Sequence, residues 1–174
     1  MELSKTSYVI LGMLRLGRST GYEIKRLVDV STRFFWAASY GQIYPELRHL
    51  EELDLVRPTG AGPGGRRRKA YELTASGERE LDEWLHSTEP LHFELRHEGL
   101  LKLFFSDTLS ASERSAQWRR MREGHEPVAQ QLRSIRPEAG ATPDRDMPLE
   151  VLEFGIAYQD FVIDYCRRME GRQG

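Results

Sequence analysis

The chain has 174 residues, with 25 Lys plus Arg against 27 Asp plus Glu and 39% apolar side chains. At roughly 100 to 200 residues per domain this is one domain or two small ones, and small ones need a partner to bury enough surface. The longest uncharged apolar stretch, residues 8–14, falls far short of the roughly 20 residues that a membrane span requires.

The N-terminus shows no basic region followed by an apolar run, so no secretory signal is read there. Cys166 is the single cysteine and has no internal partner. Both features point to the reducing cytoplasm.

Residues 4–16 place Ile10, Leu11, Met13 and Leu14 on one helical face, and Gly17 ends it. Thr20 followed by Glu23 is a capping box that opens a second helix with the stripe Ile24, Leu27 and Val28. Phe34, Phe35 and Trp36 close that segment. Ser39 and Gln42 repeat the capping pattern ahead of Ile43, Leu47 and Leu50. Pro45 sits badly inside a third helix, so either the regular helix begins near Gln42 or its start is bent.

Residues 55–58 and 70–73 alternate like strands and are joined by a Gly-rich loop carrying Arg66, Arg67, Arg68 and Lys69. Pro58 cannot donate to a ladder, which makes its strand an edge or places it just past the pairing. Thr74 then caps a fourth helix with Leu81, Trp84 and Leu85. Residues 1–86 thus read as helix, helix, helix, hairpin, helix, carrying 13 basic and 12 acidic residues.

Residues 87–174 read as helical and carry 12 basic against 15 acidic residues. Residues 93–105 are helical in pattern, with Leu100, Leu101, Phe104 and Phe105 apolar. Ser110 and Glu113 form a third capping box. Behind them Trp118, Met121, Val128, Leu132 and Ile135 make a coiled-coil-like seam, which His125 and Pro127 interrupt with a kink or a break. Residues 137–148 read as a linker, and residues 149–169 as a final helix. Its aromatic seam, Val151, Phe154, Tyr158, Phe161 and Tyr165, is assigned to a dimer contact, with packing against the Trp118 helix as the alternative.

The run Tyr40-Gly41-Gln42-Ile43-Tyr44-Pro45-Glu46-Leu47-Arg48-His49-Leu50-Glu51, then Leu55-Val56, then Arg67-Arg68-Lys69-Ala70-Tyr71-Glu72-Leu73-Thr74 with Gly77, closely resembles the PadR transcriptional regulators. The second half, from Phe93 on, looks like the longer helical C-terminal domain of their virulence-activator subgroup. The resemblance implies a mainly α protein with a small β-hairpin wing: a winged helix-turn-helix over residues 1–86 and a helical dimerisation domain over 87–174. Asp54 stands where relatives usually carry Gly, and Asp tolerates the left-handed backbone that this turn requires.

On this reading the third helix enters the major groove of double-stranded operator DNA and the wing reaches backbone or minor groove. Ser39, Tyr40, Gly41, Gln42, Tyr44 and Arg48 form the reading face. Arg66, Arg67, Arg68 and Lys69 form the wing contacts, with Lys5 and Lys25 as further phosphate candidates. Gln pairs bidentately with adenine, Arg with guanine, and Tyr hydroxyls hold phosphates. A homodimer reads half-sites of a palindrome about one turn apart. Relatives that answer to phenolic or drug-like molecules imply an aromatic or lipophilic effector, for which Trp36, Trp118 and Tyr158 are the lining candidates. The competing reading is a winged-helix protein-interaction module without DNA binding, motivated by the near-neutral charge. No catalytic constellation, metal-ligand spacing or cofactor motif is read from Cys166 or from His86, His92, His97 and His125.

Overall fold

The computed structural model describes residues 3–61, 69–91, 93, 95–139 and 146–172. They form two compact units, Met1–Leu91 and His92–Gly174.

In the first unit, α1 (Lys5–Arg15) starts where the Ser4 hydroxyl accepts the Ser7 amide at 3.1 Å, and it stops before Gly17, whose φ is +82°. The Thr20–Glu23 capping box opens α2 (Gly21–Val30) as its spacing predicts. A 3-10 turn, Thr32–Phe34, leads on to α3 (Tyr40–Glu52). Ile10, Leu11, Ile24, Val28, Ile43, Leu47 and Leu50 are fully buried where these helices meet. Burying each such side chain contributes about 1.5–3 kcal/mol.

The chain turns out of α3 through Asp54, at φ +54°. Strand β1 (Val56–Ala61) then pairs antiparallel with β2 (Lys69–Leu73). Pro58 falls inside the pairing, opposite Tyr71, and the register slips between Pro58 and Gly60. The extra residue is Thr59, and Pro58 is tolerated within the pairing because β1 is an edge strand. On its other side β2 is bridged to Thr20, and the Tyr71 amide donates to the Ser19 carbonyl at 2.7 Å.

Helix α4 (Ala75–His86) begins on a fitted joint. The Thr74 hydroxyl caps the Gly77 amide at 3.0 Å and itself donates to the Asp54 carbonyl at 2.6 Å. A Cβ on Gly77 would lie 2.0 Å from the Leu55 carbonyl oxygen. The Leu-Thr-x-x-Gly pattern is therefore the seat of α4 on the strand entry. Of the apolar residues predicted for this helix, Leu81 is buried, whereas Trp84 and Leu85 are exposed; Trp84 stacks on Tyr8 with ring centroids 4.5 Å apart.

The second unit contains α5 (Glu98–Phe104), a 3-10 turn (Ser106–Thr108), α6 (Ala111–Ala139) and α7 (Asp146–Arg172). Three expectations need correction. The helix predicted from residue 93 begins only at Glu98, because the His97 ring takes the N-cap position and accepts the Leu100 amide. The long helix does not break: α6 runs through Pro127. Pro127 and Glu123, whose carbonyl would have received the missing amide, are both on the exposed side of the helix, away from the α7 contact. The linker is also shorter than predicted, since α6 continues to Ala139 and α7 takes Pro148 into its first turn.

Helices α6 and α7 are antiparallel. Arg136 pairs with Glu153 at 2.5 Å toward one end, Arg133 with Asp160 further along, and Arg122 with Glu170 at 2.7 Å toward the other. Between them Ala129 and Leu132 are buried, as are Leu152, Ile156, Ile163 and Cys166 of α7. The inward face of α7 is thus this aliphatic row, and the aromatic seam lies beside it. Phe154 is 74% and Phe161 62% exposed, and Val151, Tyr158 and Tyr165 are also exposed.

Candidate nucleic-acid interface

Helix α3 presents its polar face because its apolar positions are consumed by the core. With Ile43, Leu47 and Leu50 turned inward, Tyr40, Gly41, Gln42, Tyr44 and Arg48 are all exposed. The helix is regular from Tyr40, two residues ahead of where Pro45 suggested. Pro45 deprives the Gly41 carbonyl of its helical partner, and both residues face outward.

Several of these side chains are held in place. The Gln42 Oε1 accepts the Ser39 amide at 2.9 Å and the Ser39 hydroxyl at 3.0 Å, closing the N-terminus of α3. Bidentate pairing with adenine therefore requires Gln42 to leave its cap. The Tyr44 ring lies against α2, where a Cβ on Gly21 would come within 2.7 Å of Tyr44 Cε1, so glycine is what allows the two helices to meet. Tyr40 and Tyr44 stack with centroids 6.1 Å apart, and Lys25 Nζ sits 5.7 Å over the Tyr40 ring while bonding Asp29. Arg48 has no hydrogen bond or ion pair among the described residues.

Of the remaining proposed cations, Lys69 and Lys5 lie within the described residues. Lys69 at the base of the wing bonds both Glu51 oxygens at 2.7 and 2.8 Å, and that carboxylate raises the Lys69 ammonium above its ordinary range. Lys5 stands 5.6 Å over Tyr8, the ring that stacks on α4 rather than on α3. Arg66, Arg67 and Arg68 lie outside the described residues.

One support of the reading helix left only a weak trace in the sequence. Glu46 on α3 accepts hydrogen bonds from Ser4, at 2.8 Å, and from the fully buried Ser7, tying α3 to the start of α1. A serine on a buried face one turn from a cap is the faint clue.

The three proposed effector residues are divided between the two units. Trp36 belongs to the first unit. In the second, Trp118 meets Tyr165 at 5.7 Å and Tyr158 meets His125 at 6.5 Å. An open concavity in that unit is lined instead by Leu95, Arg96, His97, Glu98, Leu100 and Leu101.

A helical core with the reading helix exposed, a two-stranded wing and a long antiparallel helix pair define a winged helix-turn-helix protein with a helical C-terminal half. Residues 10–83 match the transcriptional regulator PadR-like family, and residues 95–172 match the virulence activator alpha C-terminal family. The chain thus carries a PadR-like transcriptional-regulator domain followed by a virulence-activator C-terminal domain.

It is 37% identical over 109 residues to the negative transcriptional regulator PadR of Bacillus subtilis, a stretch covering 62% of this chain and 60% of that one. The chain thus spans less than two thirds of that relative by sequence match. By structure the similarity is longer. The crystal structure of B. subtilis PadR in complex with operator DNA superposes with a TM-score of 0.85 at 25% identity, over 97% of this chain and 98% of that one. The Vibrio cholerae virulence activator AphA shares the fold, with a TM-score of 0.72 at 23% identity over 97% of both chains. No described helix is long and apolar enough to cross a membrane.

Proposed function

We propose that this chain is a homodimeric, sequence-specific DNA-binding repressor, with residues 1–86 as the DNA-binding domain and 87–174 as the dimerisation domain. The observation that carries the reading is the outward face of α3: Tyr40, Gln42, Tyr44 and Arg48, which has no ion pair among the described residues, on a helix braced from behind by Glu46 and Gly21. Arg48 reads a base edge, the N-terminus of α3 holds a phosphate, and the wing arginines lie along the backbone. The likeness to B. subtilis PadR, whose structure is known with operator DNA, supports this assignment.

The exposed stripe of α7 supplies the two-fold contact. Val151 to Tyr165 runs about 21 Å along the helix, a length of apolar surface that a soluble monomer rarely leaves open. Ligand response rests on the same relative, known also in complex with p-coumaric acid (TM-score 0.79, 26% identity). The effector of this chain is a small aromatic molecule that favours one spacing of the paired reading helices, and it acts only through its difference in affinity for the two states. The protein acts by binding, without catalysis, in the cytoplasm.

A second reading, a protein-interaction module, is favoured by the pairing of Lys25 and Lys69 with Asp29 and Glu51. Selection of bound fragments from random duplexes, followed by affinity measured across salt, separates the two. The repressor reading predicts a palindromic consensus, and a loss of about 1–3 kcal/mol at one base position in Arg48→Ala. Binding without sequence preference at every ionic strength overturns it.

A further inference from the structure

Twenty-eight residues apart in sequence, His97 and His125 meet in the C-terminal unit with their Nε2 atoms 3.1 Å from each other. The rings are near-parallel, with centroids 5.4 Å apart. The network fixes their protons. The Leu100 amide donates to His97 Nδ1 at 3.3 Å, so His97 donates from Nε2 to His125 Nε2, and His125 Nδ1 donates to Gln159 Oε1 at 2.5 Å. Gln159 is 8% exposed, the one buried polar side chain described on α7. It holds His125 by its outer nitrogen and leaves the inner nitrogen with its lone pair facing His97. An outer-nitrogen hydrogen bond of this kind is what orients metal-binding histidines.

Two metal–nitrogen bonds of about 2.0–2.1 Å whose ends lie 3.1 Å apart meet at about 100°. That angle lies between the square and the tetrahedral arrangements. A third donor stands beside the pair. Met121 is one turn ahead of His125 on α6, and a Cβ on Gly99 would lie 2.9 Å from His97 Cε1 and 3.1 Å from Met121 Sδ. The thioether and the imidazole therefore share the space that the glycine leaves. No group of three or more His, Cys, Asp or Glu surrounds the pair among the described residues, which disfavours the oxygen-seeking cations. Imidazole with thioether suits copper, above all its reduced ion.

We propose that His97 and His125, with the Met121 thioether beside them, form a seat for a copper ion. Binding moves the His97 proton from Nε2 to Nδ1, where it displaces the Leu100 amide. No proton is released, and what the ion disrupts is the N-cap of α5. His97 also borders the open concavity, which lets the ion and its remaining water ligands reach the pair.

The test is titration of the metal-free full-length protein with Cu+ under reducing conditions, and separately with Ni2+ and Zn2+, against a chromogenic chelator. One Cu+ per chain is expected, held at least tenfold more weakly in His97→Ala and in His125→Ala, and unchanged in the controls His49→Ala and His86→Ala. Gln159→Leu weakens it about 10–100-fold by loosening the ring. Met121→Leu weakens Cu+ while leaving Ni2+ within twofold. Equal affinity of the wild type and both histidine variants overturns the site, and Cu+ bound no more tightly than Zn2+ overturns the choice of metal. Should His125→Ala fail to fold, X-ray absorption on the copper-loaded wild type decides: two imidazoles support the seat, and fewer refute it. The titration uses no DNA, so its failure leaves the regulator reading untouched.

Discussion

Glu51, in the last turn of α3, holds the Lys69 ammonium at the base of the wing through both carboxylate oxygens, at 2.7 and 2.8 Å. The reading helix and the wing are thereby joined by an ion pair that also cancels one of the wing's charges. An exposed pair of this kind contributes only about 0–1 kcal/mol to stability, so its larger effect is on charge. Glu51→Gln frees Lys69 for a phosphate. Operator affinity is expected to rise, and the slope of log affinity against log salt to steepen by about one. Fluorescence anisotropy from low to high salt measures both, and an unchanged slope would show that Lys69 never reaches the duplex.

Gly77→Ala drives a Cβ to 2.0 Å from the Leu55 carbonyl oxygen, a backbone atom with no room to retreat. The α4 seat and the strand entry must separate. A loss above about 3 kcal/mol is expected, in the range reserved for core strain. Urea unfolding followed by far-UV circular dichroism reads it, with Gly124→Ala, an open position inside α6 where no atom lies within 4 Å and a gain of about 0.5–1 kcal/mol is expected, as the unstrained comparison.

Phe154→Asp and Phe161→Asp place charges on the exposed stripe of α7 without touching the aliphatic row that faces α6. Stability of the isolated chain should move by less than about 0.5 kcal/mol, while the dimer dissociates. Light scattering after size exclusion is the measurement. A dimer that survives both substitutions would return the stripe to plain surface.

Acid weakens the C-terminal unit through Glu170. The Arg122 hydrogen bond, aided by charge from Arg122 and Arg119, holds this carboxyl below its ordinary value of 4.5. A carboxyl lowered in the folded state stabilises fully above the ordinary range, and that contribution disappears as pH falls through the lowered value. Thermal midpoints should therefore decline below about pH 4.5 in the wild type, and with a shallower slope in Arg122→Gln.

The N-terminal unit was legible because its sequence signals are local. The Thr20–Glu23 box, the Ile43, Leu47 and Leu50 spacing and the Thr74 cap each act within one or two turns, and each appears in the fold. Asp54 takes the left-handed turn for the same reason. The C-terminal half was harder. Its helices are apolar around more than one stripe, so periodicity did not distinguish the row facing α6 from the row left open. Pro127 was read as an interruption because its missing bond is a local signal, whereas tolerance of it depends on which face meets water. The contacts of Glu46 with Ser7 and of His97 with His125 join distant segments, and no spacing rule announces them.

The cap at Ser39 gives sequence preference a direction. Because the Gln42 carbonyl oxygen is already spent inside the protein, the side chain approaches a duplex as a pure donor. On the proposed reading, a guanine or thymine edge takes that amide hydrogen at no cost, whereas bidentate pairing with adenine must first unfasten the helix. The same residue that starts the helix would thus, on that reading, tax the bidentate recognition of one letter of an operator.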